Sequence, residues 1–278
     1  MRPRPLVMGV VNVTPDSFSD GGCWPDPESA IVHARELVAA GADIIDIGGE
    51  STRPGAEPVT PDIEAARVVP VVEALAPHVR VSVDTMTPDV AEAAVVAGAT
   101  IVNDVSGSLA LADIAASHGC VWVCMHMQGT PRTMQTRPHY VDVVAEVHDF
   151  LVERAAAGVA RGVPEVWIDP GIGFGKTTDH NLSLLRHLDV LVDSGHPVVV
   201  GTSRKSSFGR LTAQADGSST RDADPGAEAS RTLAAPVGER LEASIATAVW
   251  AWRHGAAVVR VHDVAETITA RDIALPVT

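Results

Sequence analysis

Six times along the chain a glycine is followed, within a few positions, by a short apolar run that ends at a polar residue. The phrases are AAGADIIDIGGE around Gly41, VAGATIVNDVSG around Gly98, SHGCVWVCMH around Gly119, RGVPEVWIDPG around Gly162, DSGHPVVVGTSRK around Gly195 and RHGAAVVRVHD around Gly255. A glycine at this place supplies the left-handed cap that ends a helix, and a run of Val and Ile suits a strand buried on both faces. Two further runs, Leu6–Val11 and Val79–Val83, end in the same way at Asn12 and Asp84. Between the eight runs lie segments of helical character at about 26–40, 62–76, 88–97, 110–118, 141–161, 179–193, 239–254 and 264–272. Strand–helix alternation repeated eight times predicts an α/β fold, a single (β/α)8 TIM barrel spanning residues 1–278. A doubly wound sheet shares the alternation, but eight units in 278 residues favour closure.

One segment breaks the rhythm. From about Thr212 to Pro236 the chain turns to Ala, Asp, Ser, Gly and Thr with few large apolar residues. Such a stretch reads as a mobile polar insertion after strand 7. In the helix that follows, Leu241, Ile245, Val249 and Trp252 recur at helical spacing and predict a packing stripe, facing the barrel or a second subunit.

Lys and Arg number 21 against 35 Asp and Glu, a formal net charge of −14, so binding to a nucleic-acid backbone is not expected. Cys23, Cys120 and Cys124 make neither an even disulfide set nor a C-x2-C pair and read as reduced thiols. The apolar run near the N-terminus is too short for a signal peptide or a membrane span. A soluble cytoplasmic protein with no membrane partner is expected.

Barrel enzymes draw their catalytic groups from the C-terminal ends of the strands. The polar residues there are Asn12, Asp46, Asp84, Asn103, His126, Asp169, Ser203 with Lys205, and Arg260 with His262. Folding needs no such set, and a polar residue at all eight ends predicts a lined pocket. Asp46, Asp84, Asn103 and Asp169 suit a heterocycle with an amino-pyrimidinone edge, because a carboxylate set against ring N–H groups makes paired charge-assisted hydrogen bonds. Lys205, Arg53, Arg260 and His262 supply cations from separate loops for a phosphate or carboxylate. Asn12 offers an oxygen suited to Mg2+. Asp46 has a second reading, as the anchor of the Gly48–Gly49 turn, and Arg53 as a solvated loop charge. His126 reads as a satisfied rim histidine rather than a base. The other histidines lack metal-ligand spacing. GIGFGK at 171–176 lacks the spacing of a phosphate loop, and its glycines predict a tight turn beside Phe174 that walls an aromatic substrate.

These residues sit in longer phrases: MGVVNVTPDSFSDGG (8–22), DIIDIGGESTRPGA (43–56), VSVDT (81–85), IVNDVSG (101–107), MHMQGTPRTMQ (125–135), IDPGIGFGKT (168–177), GTSRKS (201–206) and RVHDV (260–264). In order and spacing they resemble the dihydropteroate synthase family from about residue 6 to 270, the insertion excepted. The resemblance implies a transferase of folate biosynthesis that joins 6-hydroxymethyl-7,8-dihydropterin pyrophosphate to p-aminobenzoate by a dissociative substitution, with Mg2+. It implies pterin binding by Asp84, Asn103, Asp169 and Lys205, with Met125 lining the pocket and Asp46 close by. Asn12, Arg53, Arg260 and His262 would hold the pyrophosphate, Asn12 also meeting the metal. Phe18, Thr52, Arg53, Pro54, Phe174, Lys205 and Ser206 would form the p-aminobenzoate site, where sulfonamides also bind, with Asp16 and Asp20 in the first mobile loop. Asp84, Asp169, Lys205, Arg260 and His262 are the expected catalytic set, and a homodimer is the expected assembly. A pterin-binding methyltransferase shares the pterin positions but not NVTPDSF, STRPGA and SRKS; a non-catalytic homologue would not need the complete set.

Overall fold

The computed structural model describes residues 4–14, 27–51, 58–209 and 240–275. Asp16, Phe18, Asp20, Cys23, Thr52, Arg53, Pro54 and the 212–236 segment lie outside the described residues. Strands and helices alternate along the chain as β1 (Leu6–Asn12), α1 (Pro27–Ala39), β2 (Ile44–Gly48), α2 (Pro61–Leu75), β3 (Arg80–Asp84), α3 (Pro88–Val96), β4 (Ile101–Asp104) and α4 (Leu109–His118). They continue as β5 (Val121–Met125), α5 (Val143–Ala160), β6 (Glu165–Asp169), α6 (Thr178–Arg186), α7 (Leu188–Val192), β7 (Val199–Val200), α8 (Leu241–Arg253), β8 (Val258–Val261) and α9 (Val264–Ala274). Gly41, Gly98, Gly119, Gly162, Gly195 and Gly255 all have positive φ, the backbone state expected of them at helix ends.

The eight strands are ordered β6-β5-β4-β3-β2-β1-β8-β7 and every pairing is parallel. The two ends meet where Ile168 bridges Val198 and the Ile168 N–H donates to Pro197 O at 2.9 Å, which closes the barrel. Strand side chains alternate between two environments. Val7, Ile45, Ile47, Val81, Val83, Val102, Trp122, Cys124, Ile168 and Val259 face out into the large core shared with the helices. Met8, Ile44, Ile101, Val121, Val123, Trp167, Val199 and Val258 form a separate inner cluster. This inner cluster is the apolar floor of the barrel. Advancing two residues from it keeps the same face: Ile44 leads to Asp46, Ile101 to Asn103, Trp167 to Asp169 and Val258 to Arg260. The polar pocket is thus the upper layer of the same stack.

A part-buried ion pair fastens the opposite end. Arg271 of α9, 1% exposed, donates from Nη1 to Asp43 Oδ2 at 2.9 Å, and the same oxygen accepts the Val7 N–H at 2.8 Å. The last helix is thereby tied to the first two strands.

Two helices depart from expectation. The 179–193 segment is broken at His187 (φ −112°, ψ 35°) into α6 and α7, although no Gly or Pro announces a break. On α8 the buried residues are Ser244, Ala248, Ala251 and Trp252, while Leu241, Ile245 and Val249 are half-buried. Three small side chains and Trp252 thus take the inner face, and Trp250 is left 45% exposed. Cys120 and Cys124 are buried free thiols, and burial pushes both up.

Candidate active site

Arg260, projecting inward from β8, spans two carboxylates. Its Nε donates to Asp46 Oδ2 and its Nη2 to Asp84 Oδ2, each at 2.6 Å. Asn103 Nδ2 donates to the same Asp46 oxygen at 3.1 Å. Asp46 therefore belongs to the pocket and is not the anchor of the glycine turn, which α2 holds instead. Arg67 Nη1 donates to Gly49 O at 2.8 Å, and a Cβ on Gly49 would lie 2.8 Å from Val68 and 3.0 Å from Glu64. Asp46 sits inside β2, two residues before its end, and reaches the pocket through the strand's alternation.

The other oxygens of this pair, Asp46 Oδ1 and Asp84 Oδ1, are buried and have no hydrogen-bond partner among the described residues. Leaving buried carboxylate oxygens unpaired is costly, and it suits a site built to receive donors. Burial pushes Asp84 up to about 7, with Arg260 working against the shift and Asp46 adding to it. Burial alone would lower Arg260, but the two carboxylates outweigh it and raise the guanidinium further. Asn12 stands beside them. Its register partner Gly48, itself paired with Asp84, leaves room for the Asn12 Oδ1, 3.5 Å from where a Cβ would be.

Opposite this pair, Asp169 ends β6 with its Oδ1 accepting the Gly171 N–H at 2.7 Å. Burial raises its carboxyl, and Lys205 opposes the shift. Lys205 Nζ donates to Ile172 O and lies 4.7 Å from the centre of the Phe174 ring. Burial pushes Lys205 down to about 8, with Asp169 acting to raise it. Lys205 Nζ and Arg260 Cβ both flank Gly201, at 3.9 and 3.7 Å from a Cβ position there, so the two cationic residues adjoin. His262 meets Ser203, Nδ1 to Oγ at 3.0 Å, and the His262 N–H donates to the same oxygen at 3.2 Å. Arg204, between the two site residues, takes φ 58° and pairs through Nε with Asp263 Oδ2 at 3.1 Å, tying this loop to the end of β8. Met125 is buried in register with Asp169. Ser206 is exposed at the start of a short helical turn.

His126 points away from this layer. It is buried against Phe150, ring centres 5.0 Å apart, and its Nδ1 lies 2.9 Å from Lys176 Nζ, so it is a satisfied histidine as expected. Lys176 went unread in the sequence. Its only signal was a lysine closing a glycine-rich loop, and two of its four contacts come from His126, at a strand end 50 residues away. Asp104 was missed too. It faces outward and is saturated by the Ser106 N–H and Oγ, the Ser108 N–H and Trp122 Nε1, a structural role in shaping the loop after β4.

A closed parallel barrel that carries carboxylates, an amide and adjoining cations above an apolar floor defines an enzyme for an N–H-rich, anionic heterocycle. Residues 8–262 match the family described as pterin binding enzyme. The dihydropteroate synthase of Escherichia coli strain K12 is 44% identical over 278 residues, covering 96% of this chain and 89% of that protein. Two solved structures align over nearly the whole chain. The Yersinia pestis dihydropteroate synthase with a sulfonamide drug has a TM-score of 0.85 at 42% identity, covering 98% of this chain and 93% of that one. The Xanthomonas albilineans dihydropteroate synthase with 4-aminobenzoic acid has a TM-score of 0.84 at 44% identity, covering 97% and 92%. The chain belongs to the dihydropteroate synthase family, transferases of folate biosynthesis. Among the described residues no helix is long and apolar enough to cross a membrane.

Proposed function

We propose that Asp46, Asp84, Asn103, Asp169 and Lys205 hold the pterin ring of 6-hydroxymethyl-7,8-dihydropterin pyrophosphate, and that p-aminobenzoate enters beside Phe174. The observation that carries this reading is the pair of buried carboxylate oxygens without partners among the described residues, Asp46 Oδ1 and Asp84 Oδ1, beside Asn103. Ring N–H groups would supply the donors they lack. Met125 lines the pocket over the apolar floor. Phe174 offers a ring face and Lys205 a cation next to it, a pairing that suits an aryl carboxylate, with Ser206 on the turn that follows; the family resemblance assigns Phe18, Thr52, Arg53 and Pro54, outside the described residues, to the same substrate. A sulfonamide presents the same aryl amine and would compete there, as the Yersinia complex suggests.

The C–O bond between the pterin methylene and the pyrophosphate breaks, its electron pair leaving with the pyrophosphate. The ring-stabilised cation is then attacked by the aniline nitrogen lone pair, a C–N bond forms, and the nitrogen loses a proton. Asp84 and Asp169 stabilise the developing positive charge, while Arg260, His262 and Arg53 receive the departing anion. An arylamine is neutral near pH 7, so no strong base is required to activate it. Asn12 fits a Mg2+ ion. Its single amide oxygen suits a cation held mainly by pyrophosphate oxygens and water, and no acidic or histidine cage is present among the described residues. When bound, the ion would neutralise charge on the leaving group.

The half-buried Leu241, Ile245 and Val249 with exposed Trp250 support a homodimer through α8, which light scattering tests. Buried reduced thiols support a cytoplasmic location. For the pterin site, titration calorimetry with the pterin pyrophosphate in Mg2+ is the test. Asp84→Asn should weaken binding by about tenfold or more; unchanged affinity would place the ring elsewhere.

A further inference from the structure

Lys176 is 2% exposed, and four acceptors surround its Nζ: His126 Nδ1 at 2.9 Å, His126 O at 3.1 Å, Gly171 O at 3.1 Å and Phe174 O at 3.0 Å. No carboxylate touches it among these contacts. Three donors facing four acceptors describe an ammonium used as a staple. Burial lowers Lys176 to about 7, with Asp169 acting the other way. His126 is pushed down to about 3, by burial and then by Lys176, so its Nδ1 is a free acceptor.

The staple joins two backbones at a place where nothing else fits. Gly171 has φ 65°, and a Cβ there would lie 1.9 Å from His126 O. Gly175 is also too tight for a side chain, with Gln128 O at 2.6 Å from its Cβ position. The turn between these glycines presents Ile172 O and the Phe174 ring to Lys205. Its far side is tied to Asn181, whose Oδ1 accepts the Gly173 N–H at 2.8 Å and whose Nδ2 donates to Ser207 Oγ at 3.1 Å.

We propose that Lys176 is a positioning residue for the second substrate: by clamping the 171–174 turn onto the end of β5, it sets where Phe174 and Lys205 stand to receive the aryl amine. The proposal rests on the reading that Phe174 and Lys205 line the p-aminobenzoate site. The pterin ring relies on Asp46, Asp84 and Asn103, which lie outside the clamp, as well as on Asp169 and Lys205, which adjoin it, so p-aminobenzoate should respond more strongly than the pterin.

Lys176→Met keeps most of the unbranched chain, one atom shorter, and removes the donors. In steady-state kinetics it should raise KM for p-aminobenzoate by about tenfold or more, while the Kd of the pterin pyrophosphate moves by less than about threefold. Unchanged KM, or an equal loss of both substrates, would overturn the positioning role. Should Lys176→Met fail to fold, the His126 partners decide. Asn at 126 places an amide oxygen near the position of Nδ1, and Leu removes the acceptor, so His126→Leu should repeat the rise in KM and His126→Asn should restore it. Equal KM in those two variants would overturn the role. Phe174→Ala separates the two layers of argument. If it raises KM and Lys176→Met does not, only the positioning role falls; if Phe174→Ala leaves KM unchanged, the assignment of the aryl site itself is wrong.

Discussion

Asp169→Asn isolates one charge with little change of shape. The Asp169 oxygen that accepts the Gly171 N–H at 2.7 Å can be replaced by the amide oxygen, so the turn after β6 should survive. What is lost is a buried negative charge that faces Lys205. Folding stability should change little, because the variant loses the attraction to Lys205 and is relieved of a buried carboxylate's desolvation. Catalysis should not be spared. Truncating one member of a buried, hydrogen-bonded charge pair costs 2–5 kcal/mol or more, and an isosteric amide that keeps one bond belongs in the lower part of that range, about 2–4 kcal/mol. That corresponds to a roughly 30- to 900-fold fall in kcat/KM. A second signature follows from Lys205, held at about 8 partly by Asp169, which acts to raise it. Without that charge Lys205 should lose its proton at lower pH, so the alkaline limb of the kcat/KM profile should move down. Pyrophosphate release followed across pH 6–9 reads both effects. A variant within about threefold of the parent, or an alkaline limb that does not move, would refute the reasoning.

Asp84 predicts a pH dependence of the ligand-free protein. Its folded value is raised from 3.8 to about 7, so between these the folded state holds a proton the unfolded chain has released. Its contribution to stability is therefore full at low pH and is lost as pH rises through about 7, and Asp84→Asn should flatten that slope in thermal melts; an unchanged slope would assign it to another group. Gly171→Ala places a Cβ 1.9 Å from His126 O at φ 65° and should destabilise by at least about 2 kcal/mol in denaturant unfolding, where a neutral result would mean the two loops are not clamped. Arg271→Met leaves Asp43 with the Val7 N–H but without its cation at the base of the barrel and should cost about 2–4 kcal/mol with kcat unchanged, since Asp43 is partly exposed and the pocket lies at the other end. A loss of kcat at unchanged stability would contradict that separation.

Much of this was legible because two periodicities do separate jobs. The capping glycines and Val/Ile runs mark all eight strands, and within each strand the alternation carries the inward face from an apolar floor to a polar rim. Asp46 is read as the polar residue of its strand end, and it reaches the pocket from two residues inside β2 through that alternation. Asp84, Asn103, Asp169 and Arg260 converge as their positions imply. The same rule explains Asp104, one residue past Asn103 and so on the other face, where Trp122 and the Ser106–Ser108 turn satisfy it. What escaped depends on approach distance, which residue types do not encode. Ser244 and Ala248 join Trp252 on the buried face of α8, while Leu241, Ile245 and Val249 of the expected stripe are half-buried, Val249 against the core. Lys176 is buried against three backbone carbonyls and the His126 ring, and the His126 half of that partnership comes from a distant strand end that no local pattern announces.

The central claim is that this polar layer joins a pterin pyrophosphate to an aryl amine. The most direct measurement incubates the protein with 6-hydroxymethyl-7,8-dihydropterin pyrophosphate, p-aminobenzoate and Mg2+, following pyrophosphate and 7,8-dihydropteroate together. The account predicts equimolar formation of the two, strictly dependent on both substrates and abolished by Asp84→Asn combined with Asp169→Asn. Tight pterin binding without either product, or pyrophosphate release at the same rate when p-aminobenzoate is omitted, would contradict it.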